Sequence, residues 1–258
     1  MAPVQRLRVQ YAKRGRLRFS SHRDFARAFE RALRRAEIPM AYSAGFHPHP
    51  KISYVGAAPT GVGSEAEYLE IALARRCEPD KVRTALDAVL PSGLDILRVI
   101  DVADCVPGSL AEQIQASQWQ LELAADPMAA REAVQTLLQA GQVLVERLTK
   151  DGTRSLDARA PIVSAQVSEI EADPKRAILT VVVRQVTPTV RPDDVLTALR
   201  SVAGFAPMEP ARATRLAQGP VDEAGVVGDP LRIKDLEITN TSDHGRLSTT
   251  DLVAPAAG

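Results

Sequence analysis

The chain has 258 residues, 45% of them apolar and 25% charged, with a formal net charge of zero. That is ordinary globular composition, long enough for two compact domains, and it excludes a low-complexity or fibrous protein. No run of about 18 apolar residues occurs and the start has no signal-peptide core, so no membrane span and a cytoplasmic location are expected.

Elements follow in chain order. Residues 5–19 read as a strand pair or one long bent strand. Leu7, Val9 and Tyr11 alternate, Lys13-Arg14-Gly15-Arg16 makes a basic turn, and Leu17 and Phe19 alternate again. Ser21, with Asp24 three residues on, predicts the start of a helix over 22–36. Its apolar line is Phe25, Phe29 and Leu33. A strand-like segment over 40–43 leads into a loop over 44–51. Strands are predicted over 52–55 and 68–74, separated by the glycine turn Thr60-Gly61-Val62-Gly63-Ser64. A helix over 79–90 and a strand over 94–102 complete a β-α-β-β-α-β order, the ferredoxin-like pattern.

The order then repeats. Strands are predicted over 119–124, 143–149, 165–170, 177–183 and 212–216, with helices over 127–140 and 191–202. A polar insertion separates 143–149 from 165–170. The fold class expected is α+β, with two tandem ferredoxin-like domains over 1–115 and 116–218. Residues 219–258 hold seven acids against three bases with no sustained apolar period, and read as a disordered acidic tail.

Charge is unevenly placed. Residues 1–51 hold twelve Lys/Arg against three acids, and the rest holds twenty bases against twenty-nine acids. Such asymmetry predicts a basic face that meets an anion. Arg23, Arg27 and Arg31, with Arg34 or Arg35, recur at helical spacing away from the apolar line, and Arg14, Arg16 and Arg18 lead into them. Guanidinium groups in a row suit phosphates, because each makes bidentate bonds to non-bridging oxygens. The bland alternative is a solvated helix face.

The loop Gly45-Phe46-His47-Pro48-His49-Pro50-Lys51 offers an aromatic face, two imidazoles and an ammonium, stiffened by two prolines. That set stacks on a base and contacts a phosphate; a structural turn is the alternative. A nucleic-acid site is accordingly expected from Arg16, Arg18, Ser20, Arg23, Arg27, Arg31, Tyr42, Ser43, Phe46, His47, His49 and Lys51. No cofactor or metal is expected, although His22, His47 and His49, with Asp24 or Glu67, are the residues to watch for one. Cys77 and Cys105 are the only cysteines and form no CxxC pair. Ser20, His22 and Asp24 are close in sequence, but their spacing does not converge as a triad. The turn over 60–64 lacks the spacing and lysine of a phosphate loop. Trp119 and Tyr68 read as core.

Three stretches carry a likeness to a known family. They are Phe19-Ser20-Ser21-His22-Arg23-Asp24, then Arg31 to Ala36 with Ile38-Pro39, then the unbroken run from Tyr42 to Ser53. Pro59, Gly61, Gly63-Ser64, Glu67-Tyr68 and Leu90-Pro91-Ser92-Gly93-Leu94 continue it. The sequence resembles the radical-SAM-associated domain of unknown function, a bacterial family, over about residues 5–200. Members stand alone or are fused behind a radical SAM protein of the cobalamin-binding type. The resemblance implies a stand-alone member and a separate radical SAM partner, since this chain lacks the cysteine triad of the fused enzymes. The expected function is a non-catalytic subunit that binds RNA or presents a substrate. Two alternatives stay open: an RNA-processing endonuclease using His22, His47 or His49 as general base, and a pure protein-interaction module.

Overall fold

The computed structural model describes residues 3–150 and 152–234. It is a mixed α+β protein, mostly sheet, with five α-helices among the described residues. No helix there is long and apolar enough to cross a membrane.

The first half runs β1 (Gln5–Lys13), α1 (His22–Arg35), β2 (Ile52–Val55), β3 (Gly63–Leu73), α2 (Pro79–Asp87) and β4 (Ile96–Asp101). Strand β1 lies between β4 and β3, and β2 pairs with β3; all these pairings are antiparallel. Alternation sends Leu7, Val9 and Tyr11 to one face of β1, and Leu69, Ile71 and Leu73 to the same face of β3. There they meet Phe25, Phe29 and Leu33 of α1 and Leu86 of α2. Tyr11 stacks flat on Phe25 with ring centroids 4.2 Å apart.

Helix α1 begins as expected. The Ser21 hydroxyl accepts the Asp24 N–H, and the Asp24 carboxylate accepts the Ser21 N–H, a reciprocal cap. Hydrogen bonds from the Ser21 hydroxyl, and then from its backbone N–H, hold the Asp24 carboxyl below its ordinary pKa.

Residues 15–19 correct the sequence reading. They form a 3-10 turn, not a second strand. Gly15 takes φ +53°, which turns the chain out of β1, and Arg14 is anchored by Glu65 and Asp95. Leu17 and Phe19 alternate with arginines, but Phe19 is exposed and no residue of the turn is buried, and alternation over so short a run does not separate the two geometries.

The second half runs β5 (Ala116–Leu123), α4 (Pro127–Gln139), β6 (Leu144–Thr149), β7 (Gly152–Asp157), β8 (Ile162–Ile170), β9 (Asp173–Arg184), α5 (Pro192–Ala203) and β10 (Arg212–Gly219). Between the halves sits the short helix α3 (Leu110–Gln113). The segment expected as a main-sheet strand at 143–149 instead pairs with β7 as a separate hairpin. The polar insertion is therefore that hairpin's second strand. The main sheet runs β10-β5-β9-β8, and a second core packs α4 and α5 on it.

One sheet joins the two halves. The N-terminal end of β3 pairs in parallel with β10 through Gly63 opposite Thr214 and Ser64 opposite Arg215. A Cβ at Gly63 would stand 3.2 Å from the Thr214 hydroxyl, so glycine admits this close approach.

Residues 220–234 also depart from expectation. They are not a disordered tail but a strap that packs on the sheet face opposite α1. Leu231 is fully buried with Ala66, Tyr68, Leu110 and Ile114. Arg98 pairs with Asp229 at 2.6 Å, and the Val106 N–H donates to the Arg232 carbonyl. The rest of the expected tail, residues 235–258, lies outside the described residues. Leu231→Ala is expected to cost about 2–5 kcal/mol, as other buried leucine truncations do. Urea unfolding measures it, and faster proteolytic cleavage within 220–234 would accompany it.

Candidate nucleic-acid interface

Helix α1 turns Phe25, Phe29, Ala32 and Leu33 inward. At about 100° per residue, Arg23, Arg27, Arg31 and Arg34 fall within an arc of about 80° on the opposite side. Arg23, Arg27 and Arg31 are exposed, and among the described residues no carboxylate lies within ion-pair distance of them. Arg34 is 3.9 Å from Glu30 at the edge of the stripe. The helix thus presents three guanidinium groups without direct ion pairs to solvent, although the Asp24 carboxylate feels the charge of Arg27 and Arg23.

The 3-10 turn extends this face. Arg16 is exposed, and Ser20 is half-buried where the turn hands over to α1. The Arg18 guanidinium lies over the Phe19 ring, 4.7 Å from its centroid. Its carbonyl accepts the Gly61 N–H at 2.8 Å, which ties the turn to the loop at 60–64. Phe19 itself is exposed.

The loop after α1 is a clamped tip. Ser43 and His49 exchange two bonds across its base: the Ser43 N–H donates to the His49 carbonyl at 2.8 Å, and the His49 N–H donates to the Ser43 hydroxyl at 3.0 Å. Tyr42 bridges to Pro50 just outside. Phe46 stands at the tip with 98% of its surface exposed, and the His47 ring meets it edge-on at 6.2 Å. Pro48, His49 and Pro50 brace the loop against Glu30, Leu33 and Arg34 of α1 around a cavity of about 220 Å³. Lys51 is exposed as the chain enters β2.

The histidines have separate surroundings. His22 packs edge-on against Tyr54, 4.8 Å between centroids, at the start of α1. His49 lies beside Glu30, about 12 Å further along the helix axis at 1.5 Å per residue. No group of three or more His, Cys, Asp or Glu side chains arranged for a metal ion occurs among the described residues. Asp24 is engaged in the helix cap and Glu67 lies in the interior.

Sequence reading missed the interior polar cluster at the join of the halves. Lys13, Ser64, Arg215 and Trp119 are successive register partners across β1, β3, β10 and β5, and Glu67 lies opposite Tyr11. Exposure is 5% for Lys13, 2% for Glu67 and 3% for Arg215. The Arg215 guanidinium stacks over Trp119 at 4.8 Å, sits 3.1 Å from Glu67 and donates to the Gly56 carbonyl at 2.5 Å. Lys13 donates to the Ala58 and Pro59 carbonyls, both at 3.3 Å. Burial pushes the Lys13 ammonium down from its ordinary pKa, with Glu67 opposing and Arg215 reinforcing the shift. A signal was present: Lys13 and Glu67 share strand parity with apolar core residues, where a charge demands a partner. Trp119 and Tyr68 are buried, as their strand positions implied.

A model of a protein family described as "Uncharacterized protein conserved in bacteria (DUF2344)" matches residues 6–192. No curated protein matches the chain.

Proposed function

We propose that this chain, which belongs to the bacterial family DUF2344, is a non-catalytic RNA-binding subunit that presents its substrate to a separate radical SAM enzyme of the cobalamin-binding type. The observation that carries the RNA part is the α1 arginine stripe, free of direct ion pairs at Arg23, Arg27 and Arg31, beside a clamped loop that holds Phe46 almost wholly in solvent. The Phe46 ring is free on both faces, which leaves it open to stacking on a base. A base stacked on that ring, with its backbone on Arg23, Arg27 and Arg31, satisfies both features. Arg16, Arg18 and Lys51 extend the phosphate track, and Tyr42, Ser43, His47 and His49 flank the base. The radical SAM partner rests on the family resemblance of the motifs around this loop.

The strand orders β4-β1-β3-β2 and β10-β5-β9-β8 support reading the halves as two ferredoxin-like units, the second with the β6–β7 hairpin inserted. On this reading the helix-and-loop face belongs to the first unit.

Affinity purification of the tagged full chain from a bacterial cell, with and without RNase, tests the proposal. RNA of one class is expected in the eluate, and Phe46→Ala is expected to deplete it without changing the chain's thermal stability. An eluate free of RNA would sink the RNA reading. A partner protein retained after RNase, with no RNA, would make the face a protein-docking surface instead.

A further inference from the structure

The cavity at the join of the two halves is independent of the helix face. It has a volume of about 450 Å³, within the range of small-molecule sites, and residues of both halves line it. The 56–60 segment comes from the first half, Trp119, Arg184 and Arg191 from the second. No carboxylate is among its lining residues, while three arginines are.

Its inner wall is electrostatically incomplete. Lys13 and Arg215 are two buried cations, and Glu67 is the one buried acid between them. Of the five N–H groups of Arg215, its Nη1 reaches the Gly56 carbonyl; Nε and Nη2 have no hydrogen-bond partner, and Nη2 meets Glu67 as an ion pair only. Leaving buried guanidinium donors unmet is costly, and so is an unbalanced buried charge. An anion in the cavity would offset the unbalanced charge and reach Arg215 through Nη1, since Nε and Nη2 are closed off from solvent. Arg184 and Arg191 are exposed where they line it, so they add charge along the route in from solvent. The hydroxyls of Thr60 and Ser117 add neutral donors of the kind phosphate oxygens accept.

We infer that this cavity is a binding site for a small phosphorylated ligand of about mononucleotide size, held by Arg215 at its base and by Arg184 and Arg191 around it. The mixed lining explains the size class. The guanidiniums and hydroxyls suit a phosphate, and Trp119, Val183 and Val190 suit a less polar remainder. Such a ligand touches both halves at once, so it clamps the sheet junction where β3 and β10 share only two register pairs.

Trp119 is the chain's single tryptophan and stacks on Arg215, so its emission reports occupancy directly. The test titrates the full chain with 5′-AMP, inorganic phosphate or citrate, at an ionic strength held constant with NaCl and without RNA. Saturable changes are expected with AMP and phosphate, AMP binding more tightly. Arg184→Glu, at an exposed position that leaves the core intact, is expected to weaken AMP roughly tenfold or more through loss and reversal of one charge contact. Arg215→Lys is expected to abolish saturation, because an ammonium lacks the planar fork. Signals that merely follow ionic strength would overturn the site. Saturation by citrate alone would overturn the phosphate assignment, and unchanged AMP affinity in Arg184→Glu would overturn its location. No RNA is present, so each outcome is independent of the helix-face reading.

Discussion

Glu67→Gln is expected to destabilise the protein by about 3–5 kcal/mol, the usual cost of removing one partner from a buried ion pair. The substitution keeps the side-chain shape, and its amide oxygen still accepts the Ala58 N–H that the carboxylate holds at 3.0 Å. The charge is lost, and the amide NH2 that replaces Oε1 turns a donor toward Arg215 Nη2. Lys13 and Arg215 then share the interior without a counter-charge; Lys13 is buried away from the cavity at the join, and Arg215 meets solvent only where it lines that cavity. Urea unfolding should show a lower midpoint with an unchanged slope. Adding Lys13→Met removes one of the stranded cations and should recover part of the loss, a non-additivity that marks direct coupling. A loss under about 1 kcal/mol in Glu67→Gln would mean that the cluster is solvated and the charge imbalance carries no weight.

The triple variant Arg23→Ala, Arg27→Ala, Arg31→Ala is expected to lower affinity for single-stranded RNA roughly a hundredfold or more at low salt, at about 1–1.5 kcal/mol for each charge-assisted contact. Each phosphate contact on a single strand contributes about 0.7 to the slope of log K against log salt, so the slope should flatten by about 2. Stability should hardly change, because all three side chains are exposed on the face away from the core. Phe46→Ala separates charge from stacking. It should cost about 1–3 kcal/mol of RNA affinity while leaving the salt slope intact. Equal slopes for the triple variant and the unmodified chain would remove α1 from the phosphate track.

Much of this was legible along the chain. Helix α1, its Ser21–Asp24 cap and the separation of arginines from phenylalanines follow from spacings of three and four residues, which local backbone geometry alone dictates. The loop at 44–51 declared itself by composition, since glycine permits the turn and two prolines leave few conformations to the histidines beside them. The errors share one cause. Residues 15–19 alternate as a strand does, but the positive φ at Gly15 and the anchoring of Arg14 by Glu65 and Asp95 bend them into a turn. Residues 143–149 are a strand in either reading, and nothing local says which strand they pair with.

What the sequence determined by itself is therefore whatever short periods encode: most of the strands, the amphipathic helices and the basic face of α1. Tertiary structure alone decided which strands meet. It buried Leu231, in a segment whose polarity resembles a tail, because one apolar side chain suffices once Ala66, Tyr68, Leu110 and Ile114 form its receptor. It also brought Lys13, Glu67 and Arg215 together from opposite ends of the chain. Parity places each of them on an inward face, but only the pairing of β3 with β10 supplies the neighbour, and long-range pairing has no signature in local spacing.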